Sequence, residues 1–414
     1  MPELLKKINL LIDKMNSGYI LSVNCGSSSL KFALFRFSHG LEMEWSGHID
    51  RIGFPKSHFI ILNREGLILA DDKTGHSNIE EAVNRLARWL KLNANKYQLE
   101  AIGYRIIHGG LANREHKMAS KELIKSLKLL IPLAPNHLPD ELKTMNILFE
   151  AFPNVPQVAC FDTVFHKDMP FYARRFSLPF ELSKEGVIRY GFHGLSYEYV
   201  LRKLRRLAPK EAKGKVVIAH LGNGASMAAV RNGKSIDTTM GLTPTGGLIM
   251  GTRCGDLDPG IALYLMKQKK VSPKKLEKLF NHQSGLKGIS GVSSDMMVLL
   301  DMETTNLRAR EAITMFCYQA RKFVGSLSVS LEGINTLVFT GGIGENAATI
   351  RSRICKGLQF LGIEIDKNKN NRHREIISTK NSAVTIRVIK TNEEFMIAQH
   401  SYHKILSKRR NILI

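Results

Sequence analysis

One pattern constrains the fold of this chain more than any other. A buried strand, a turn of small polar residues and a returning strand occur twice, about two hundred residues apart. In the first copy Tyr19–Val23 reads as the strand, Asn24–Ser29 as the turn and Leu30–Phe35 as the return. In the second, Lys215–Leu221 leads through Gly222–Ser226 into Met227–Val230. Asn232-Gly233, a preferred pair for a type I′ turn, then continues into Ser235–Thr238. Helical patterns separate the later strands, so the repeat predicts two related α/β domains.

Those patterns can be placed coarsely. Ser77 with Glu80 reads as a capping box opening a helix, with Ala82, Val83, Leu86, Ala87 and Leu90 as its apolar stripe. Ala101–Ile107 is a strand running into His108-Gly109-Gly110, Pro139–Phe152 a helix, and Val155–Phe161 a strand ending at Asp162. Asp258-Pro259 opens a helix, with Pro at its first position. A long helix over Asn306–Leu331 should bury Ala309, Ile313, Phe316, Ala320, Phe323 and Leu327. Thr336–Thr340 is a strand, Gly341–Asn346 a turn and Ala347–Leu361 a helix, followed by a strand at Val384–Ile389 and a helix over Asn392–Leu406.

Composition narrows the class. With 414 residues, 43% apolar and 23% charged, the bulk of the chain can bury enough surface to fold, which excludes disorder. The five cysteines, at 25, 160, 254, 317 and 355, form no C-x-x-C pair. A disulfide framework and a structural zinc site are therefore not expected, and a reducing compartment fits. Only short apolar pieces follow Lys6 and Lys7, so no signal peptide is expected. No apolar run approaches the roughly 18–20 residues of a membrane span. The expected location is the cytoplasm. Sixty Lys and Arg against 37 Asp and Glu leave a net charge of +23, which favours anionic partners. The excess is spread over Arg202–Lys215, Lys267–Lys278, Lys367–Arg374 and Lys408–Arg410. That spread reads as solvated helix faces and loops, and no zinc finger or RNP-type motif argues for nucleic acid.

The chemistry should lie where strands end in glycine-rich turns, at 24–29, 222–226 and 341–346. Such turns present converging backbone N–H groups, a geometry suited to phosphate oxygens. No G-x-x-x-x-G-K-[ST] loop occurs. Gly342-Ile343-Gly344-Glu345-Asn346-Ala347 fits a dinucleotide fingerprint, with Glu364 beyond it, and supports a competing reading as an NAD-dependent oxidoreductase. The ionic candidates are Arg105, His108, His137, Asp162, His193, Arg253, Asp256, Asp258 and Glu393. Arg253 sits among small residues in Met250–Asp256, and His193 is flanked by glycines, so both side chains can reach a ligand. Arginine suits bidentate contact with carboxylate or phosphate.

The segment from Val23 through Asn24, Cys25, Gly26, Ser27, Ser28 and Ser29 to Phe32 is similar to the N-terminal motif of the acetokinase family, the acetate and propionate kinases. So, in family order, are Arg189–Ser196, His220–Ser226, Met250–Pro259, Thr340–Asn346 and Thr391–Glu394. The resemblance spans about Tyr19 to Tyr402. It implies an α/β fold of two related actin/hexokinase (RNase H-like) domains with the active site in an interdomain cleft, and a homodimer. The N-terminal lobe would take 1–162 plus 395–414, and the nucleotide-binding lobe 163–394. The implied reaction is direct, in-line and reversible transfer of the ATP γ-phosphoryl group to acetate, giving acetyl phosphate and ADP, with Mg2+ or Mn2+ as cofactor.

By the same resemblance, Asn24 and Glu393 are metal-side residues, and Ser27, Ser29 and Lys31 belong to the first phosphate loop. Asp162, Arg105, His193, Arg253 and His137 are implied as catalytic. Arg105, Ile107, Phe192 and Pro244 are implied at the substrate. Lys31, His220, Leu221, Gly222, Asn223, Gly224, Asp295, Met296, Met297, Gly342, Ile343, Gly344, Glu345 and Asn346 are implied at the nucleotide. Acetate is already ionised near pH 7, so no general base is required. Asp162 is expected to orient an arginine or a metal-bound water instead. Departures from the family pattern fall at Asn136, on a wall of the methyl pocket, which leaves propionate as an alternative acid. Others fall at Met296 and Met297 beside the adenine, at Tyr104 and at Cys254.

Overall fold

The computed structural model describes residues 18–412 apart from 27, 39, 55 and 74, with side chains described as far as residue 407. Ser27, the reading of Lys6 and Lys7, and the side chains of Lys408–Arg410 lie outside the described residues. The chain divides into two units, residues 1–164 with 392–414, and 165–391.

The first unit is built on eight strands: β1 (Gly18–Cys25), β2 (Leu30–Phe37), β3 (Leu41–Asp50), β4 (His58–Asn63), β5 (Ile68–Asp72), β6 (Leu99–Ile106), β7 (Lys117–Met118) and β8 (Gln157–Phe161). Their order across the sheet is β5-β4-β3-β2-β1-β6-β8-β7. β1 pairs antiparallel with β2, setting Asn24 opposite Lys31, and parallel with β6, which in turn runs parallel to β8. The second unit carries β9 (Lys215–Leu221), β10 (Ala225–Arg231), β11 (Lys234–Thr238), β12 (Thr336–Thr340) and β13 (Thr385–Val388), in the order β11-β10-β9-β12-β13. β9 is antiparallel to β10 and parallel to β12, which is parallel to β13. The sequence β3-β2-β1-β6-β8 therefore has the same pairing senses as β11-β10-β9-β12-β13. The repeat seen in the sequence is a repeat of topology.

Each sheet is covered by helices whose apolar stripes follow from the sequence. Ile20, Ala33, Phe35, Phe37 and Ala101 pack with Ala398 and Ile405 of the helix Glu393–Ile412. That helix approaches β6 closely because position 103 is Gly; a Cβ there would fall on Ser401 and Ile397. In the second unit Tyr197, Val200, Leu201 and Leu204 of the helix Gly194–Leu207 cover Val216, Ile218, Ala228 and Val230.

Local chemistry moves several expected boundaries. The helix Ile79–Leu92 is capped by Asn78, which accepts from the Glu81 N–H; Ser77 instead donates to the Glu81 carboxylate, so the expected box at Ser77 and Glu80 is shifted by one residue. Gly341–Asn346 is a short helix rather than a turn. The helix after it ends at Cys355, followed by a 3-10 turn at Gln359–Leu361. Val324, not Phe323, is buried in the long helix Leu307–Ser330. Asn232 and Gly233 both have positive φ, 54° and 74°, as a type I′ turn requires. All five cysteines are free. Among the described residues no helix is long and apolar enough to cross a membrane.

Candidate active site

In the first unit the candidates gather at the carboxyl ends of parallel strands, the usual ligand position in α/β sheets. Asn24 ends β1, Arg105 ends β6 and Asp162 follows β8. Arg105 donates from Nε and Nη2 to Asp162 Oδ2, at 2.9 and 2.6 Å, and from Nη1 to Asn24 Oδ1 at 3.3 Å. Its Nε also lies 3.8 Å from Glu393 Oε2. Burial opposes the Arg105 charge, but Asp162 and Glu393 outweigh it and raise its pKa. The Asn24 amide donates to both Glu393 Oε2 (3.0 Å) and Glu394 Oε1 (3.3 Å). Burial first, and then the neighbouring Glu393 carboxylate, push the Glu394 pKa up. Lys31 is exposed.

Two residues that sequence reasoning missed complete this set. Glu394 adjoins Glu393 and was visible as the second acid of Thr391–Glu394. Glu141 was not visible. It lies one turn into the helix Leu138–Ala151, whose N-cap is His137, and it is 1% exposed. Its Oε2 accepts from the Ile107 N–H at 2.9 Å, while Oε1 is buried without a hydrogen bond. Desolvation pushes its pKa up to about 8, against the opposing pull of Arg105 and the Ile107 N–H; Asp162 adds to the rise. Glu141 thus fixes the backbone of Ile107, the residue implied at the substrate.

The second unit gathers donors. His193 is held at the start of the helix Gly194–Leu207 with φ 57° and ψ 27°, a left-handed conformation costing a non-glycine residue about 1 kcal/mol. Its Nδ1 bonds Ser226 Oγ at 2.8 Å, and Tyr197 Oη holds the same hydroxyl at 2.5 Å. Arg253 Nη1 donates to the Pro244 carbonyl at 2.9 Å. A Cβ on Gly224 would lie 3.3 Å from His193 Nε2 and 3.6 Å from Arg253 Nη1, so both nitrogens converge over bare backbone. His220 stacks on His193, with ring centroids 4.2 Å apart and planes 22° apart. A Cβ on Gly222 would lie 3.8 Å from His220 Nε2 and 4.0 Å from Gly342 N, which brings the turn 222–224 beside the segment 341–346. Phe192 is buried, and His166 donates to its carbonyl from Nε2 (3.1 Å) while Nδ1 faces Ser235 Oγ. Burial pushes His166 down to about 4, so it holds that loop as a neutral ring.

Other candidates are committed to the backbone. His108 Nδ1 accepts from Gly110 N, Asp256 from Gly247 N and Asp258 from Gly260 N. Asp295 caps the helix Met296–Met302, accepting from Met297 N; Met296 is buried and Met297 exposed. Glu345 Oε1 accepts from Gly341 N and Thr391 N, both at 3.0 Å. Arg351, fully buried, donates to the carbonyls of Gly344 and Glu345 and to Asn370, which holds the segment from its other end.

A duplicated sheet whose strand ends carry guanidinium, imidazole, acidic and glycine-rich groups defines an enzyme that handles phosphoryl groups. The acetokinase family model matches residues 19–399, and the chain belongs to that family: it is a carboxylate kinase, with a nucleotide among its substrates. It is 43% identical over 394 residues to the acetate kinase of Methylocella silvestris, covering 92% of this chain and 96% of that one. Among solved structures it is similar to a propionate kinase from Francisella tularensis (TM-score 0.86, 38% identity, 93% of this chain and 99% of that one). It is also similar to the acetate kinase of Porphyromonas gingivalis (TM-score 0.82, 36% identity, 94% and 100%). These matches set aside the NAD-dependent reading. Gly342–Ala347 lies in a segment common to the acetokinase pattern, and Glu364 accepts from the Thr379 hydroxyl.

Proposed function

We propose that this enzyme catalyses ATP + acetate ⇌ ADP + acetyl phosphate by direct in-line transfer. The observation that carries the reading is the convergence of His193 Nε2 and Arg253 Nη1 over Gly224. A guanidinium and an imidazole facing bare backbone leave room for a phosphoryl group and can stabilise charge on its equatorial oxygens. Arg105 and Arg253 offset the repulsion between a carboxylate and a polyphosphate. Asp162 does not act as a base: it is spent on two hydrogen bonds that aim Arg105. His137 supports the phosphoryl group, and Ile107, Phe192 and Pro244 enclose the acyl chain. Lys31, His220–Gly224 and Gly342–Asn346 hold the nucleotide phosphates and ribose, with Asp295–Met297 towards the base.

The donor set at Asn24 fits a hard divalent cation. Glu393 and Glu394 offer carboxylate oxygens on one amide, and their mutual repulsion is what a cation relieves. Mg2+ held there by Asn24 and Glu393 would neutralise phosphate charge. The exposed apolar side chains Leu257, Ile261, Leu263, Tyr264 and Met266, on and beside the helix Pro259–Lys267, favour a homodimer. Five free cysteines favour the reducing cytoplasm.

Propionate is the second reading: Asn136 departs from the family pattern at the acyl pocket, and a Francisella tularensis propionate kinase is a structural relative. The test is trapping of acyl phosphate with hydroxylamine, with ATP, Mg2+ and a panel of acetate, propionate and butyrate. Strongest hydroxamate formation with acetate supports the main reading. A maximum at propionate selects the second, and no signal with any acid overturns both.

A further inference from the structure

A hydroxyl chain joins the segment 341–346 to the imidazole pair. Glu345 Oε1 takes the Thr391 N–H, and the Thr391 hydroxyl donates to Ser196 Oγ at 2.9 Å. Ser196 Oγ is in turn 2.8 Å from His220 Nδ1. Ser196 Oγ receives the Thr391 proton and can pass its own to His220 Nδ1. In that arrangement Nδ1 is the unprotonated nitrogen and the ring proton sits on Nε2, the atom beside Gly222 and the neighbouring Gly342 N.

We propose that Thr391 and Ser196 are positioning residues that set the tautomer and plane of His220, so that it offers an Nε2–H donor to a nucleotide phosphate oxygen. The opposite tautomer would turn a lone pair on that oxygen and repel it. The chain has a second effect. His220 stacks on His193 at 4.2 Å, so fixing the His220 plane also supports the ring that meets the phosphoryl group. Glu345 thereby ties the nucleotide segment, through Gly341 N and Thr391 N, to both imidazoles. The role of the donor rests on the proposed kinase reading; the proton order does not.

The two parts are tested separately on the full-length protein. Nitrogen-15 NMR of histidine-labelled enzyme without nucleotide reads the tautomer. His220 should show a protonated Nε2 and an unprotonated Nδ1, and Thr391→Val or Ser196→Ala should give a mixture. Calorimetric titration with ADP and Mg2+ reads the donor. Both variants should weaken ADP binding about fivefold, leave the KM for acetate in place, and cause no further loss when combined. Thr391→Ser, which keeps the hydroxyl, should restore both the tautomer and the affinity. A wild-type His220 protonated at Nδ1 overturns the proton order, whatever reaction the enzyme catalyses. An unchanged tautomer in Thr391→Val, or losses that multiply in the double variant, removes the chain as the cause. A normal tautomer response with no change in ADP affinity removes the donor role alone.

Discussion

Glu141→Gln separates what a buried carboxyl does from what its charge would do. The ordinary glutamate value is 4.5, and burial, with Asp162 and Asp140 adding to it and Arg105 opposing, raises Glu141 to about 8. Between those two pH values the folded state keeps a proton that the unfolded state has released. Stability from this group is therefore complete below pH 4.5, falls by about 1.4 kcal/mol per pH unit as pH rises, and levels off above 8. Glutamine keeps the shape and the oxygen that receives the Ile107 N–H, but it does not titrate.

The stability of the variant minus that of wild type should thus rise with pH, by about 3 kcal/mol from pH 5.5 to 7.5. For a unit of this size that is roughly 6–10 °C in melting temperature. Both tryptophans, Trp45 and Trp89, lie in the first unit and are buried, so their fluorescence reports the relevant transition. Melting curves at pH 5.5, 6.5 and 7.5 and constant ionic strength make the comparison. A signed difference that is independent of pH, or that falls as pH rises, would show that Glu141 is ionised in the folded protein and would refute the reasoning.

Three further outcomes follow from the same geometry. Arg253→Ala and Arg105→Ala should each lower kcat about 10³-fold in the hydroxamate assay, and Arg105→Ala should also lower stability because it leaves Asp162 buried without its guanidinium; near-native turnover in either would remove that arginine from the phosphoryl group. Gly224→Ala places a methyl 3.3 Å from His193 Nε2 and should lower kcat about tenfold or more at an almost unchanged melting temperature, so full activity would mean that no substrate atom approaches there. Gly103→Ala drives a methyl into Ser401 and Ile397 and should destabilise the first unit by about 2 kcal/mol, read by tryptophan fluorescence, with no loss meaning that the helix Glu393–Ile412 can give way.

Much of the scaffold was legible because the signals are local. The apolar strands β1, β9 and β12, the helix starts near Asn306 and at Asp258-Pro259 and the Asn232-Gly233 turn all depend on residues near in sequence. β3, β4 and β5 went unread. They lie towards one edge of the sheet, and exposed Glu42, Leu67 and Ile68 blur their alternation. The helix Gly341–Asn346 defied its glycines because tertiary bonds from Glu345 and Arg351 hold it. Composition and motif could nominate Arg105 and Asp162, but not show that they share two hydrogen bonds across 57 positions. Glu141 carries no motif at all; its character comes from burial, which sequence spacing does not encode.

The two units share a topology but divide the electrostatic labour. Around Arg105 the first unit sets Asp162, Glu393, Glu394 and Glu141. One guanidinium cannot neutralise four ionised carboxyls in a desolvated site, where each uncompensated charge costs several kcal/mol. Two physical responses are open: burial holds the proton on Glu141, and on the proposed reading the Glu393–Glu394 pair takes up a cation. The second unit has the opposite character at the matching strand ends. Arg253, His193, His220 and bare glycine backbone present donors, with Glu345 the acid tied into that turn and spent on backbone N–H groups. On the proposed reading Asp162 transfers no proton, because releasing Arg105 to accept one would leave these buried carboxyls without the guanidinium that Asp162 holds by two hydrogen bonds.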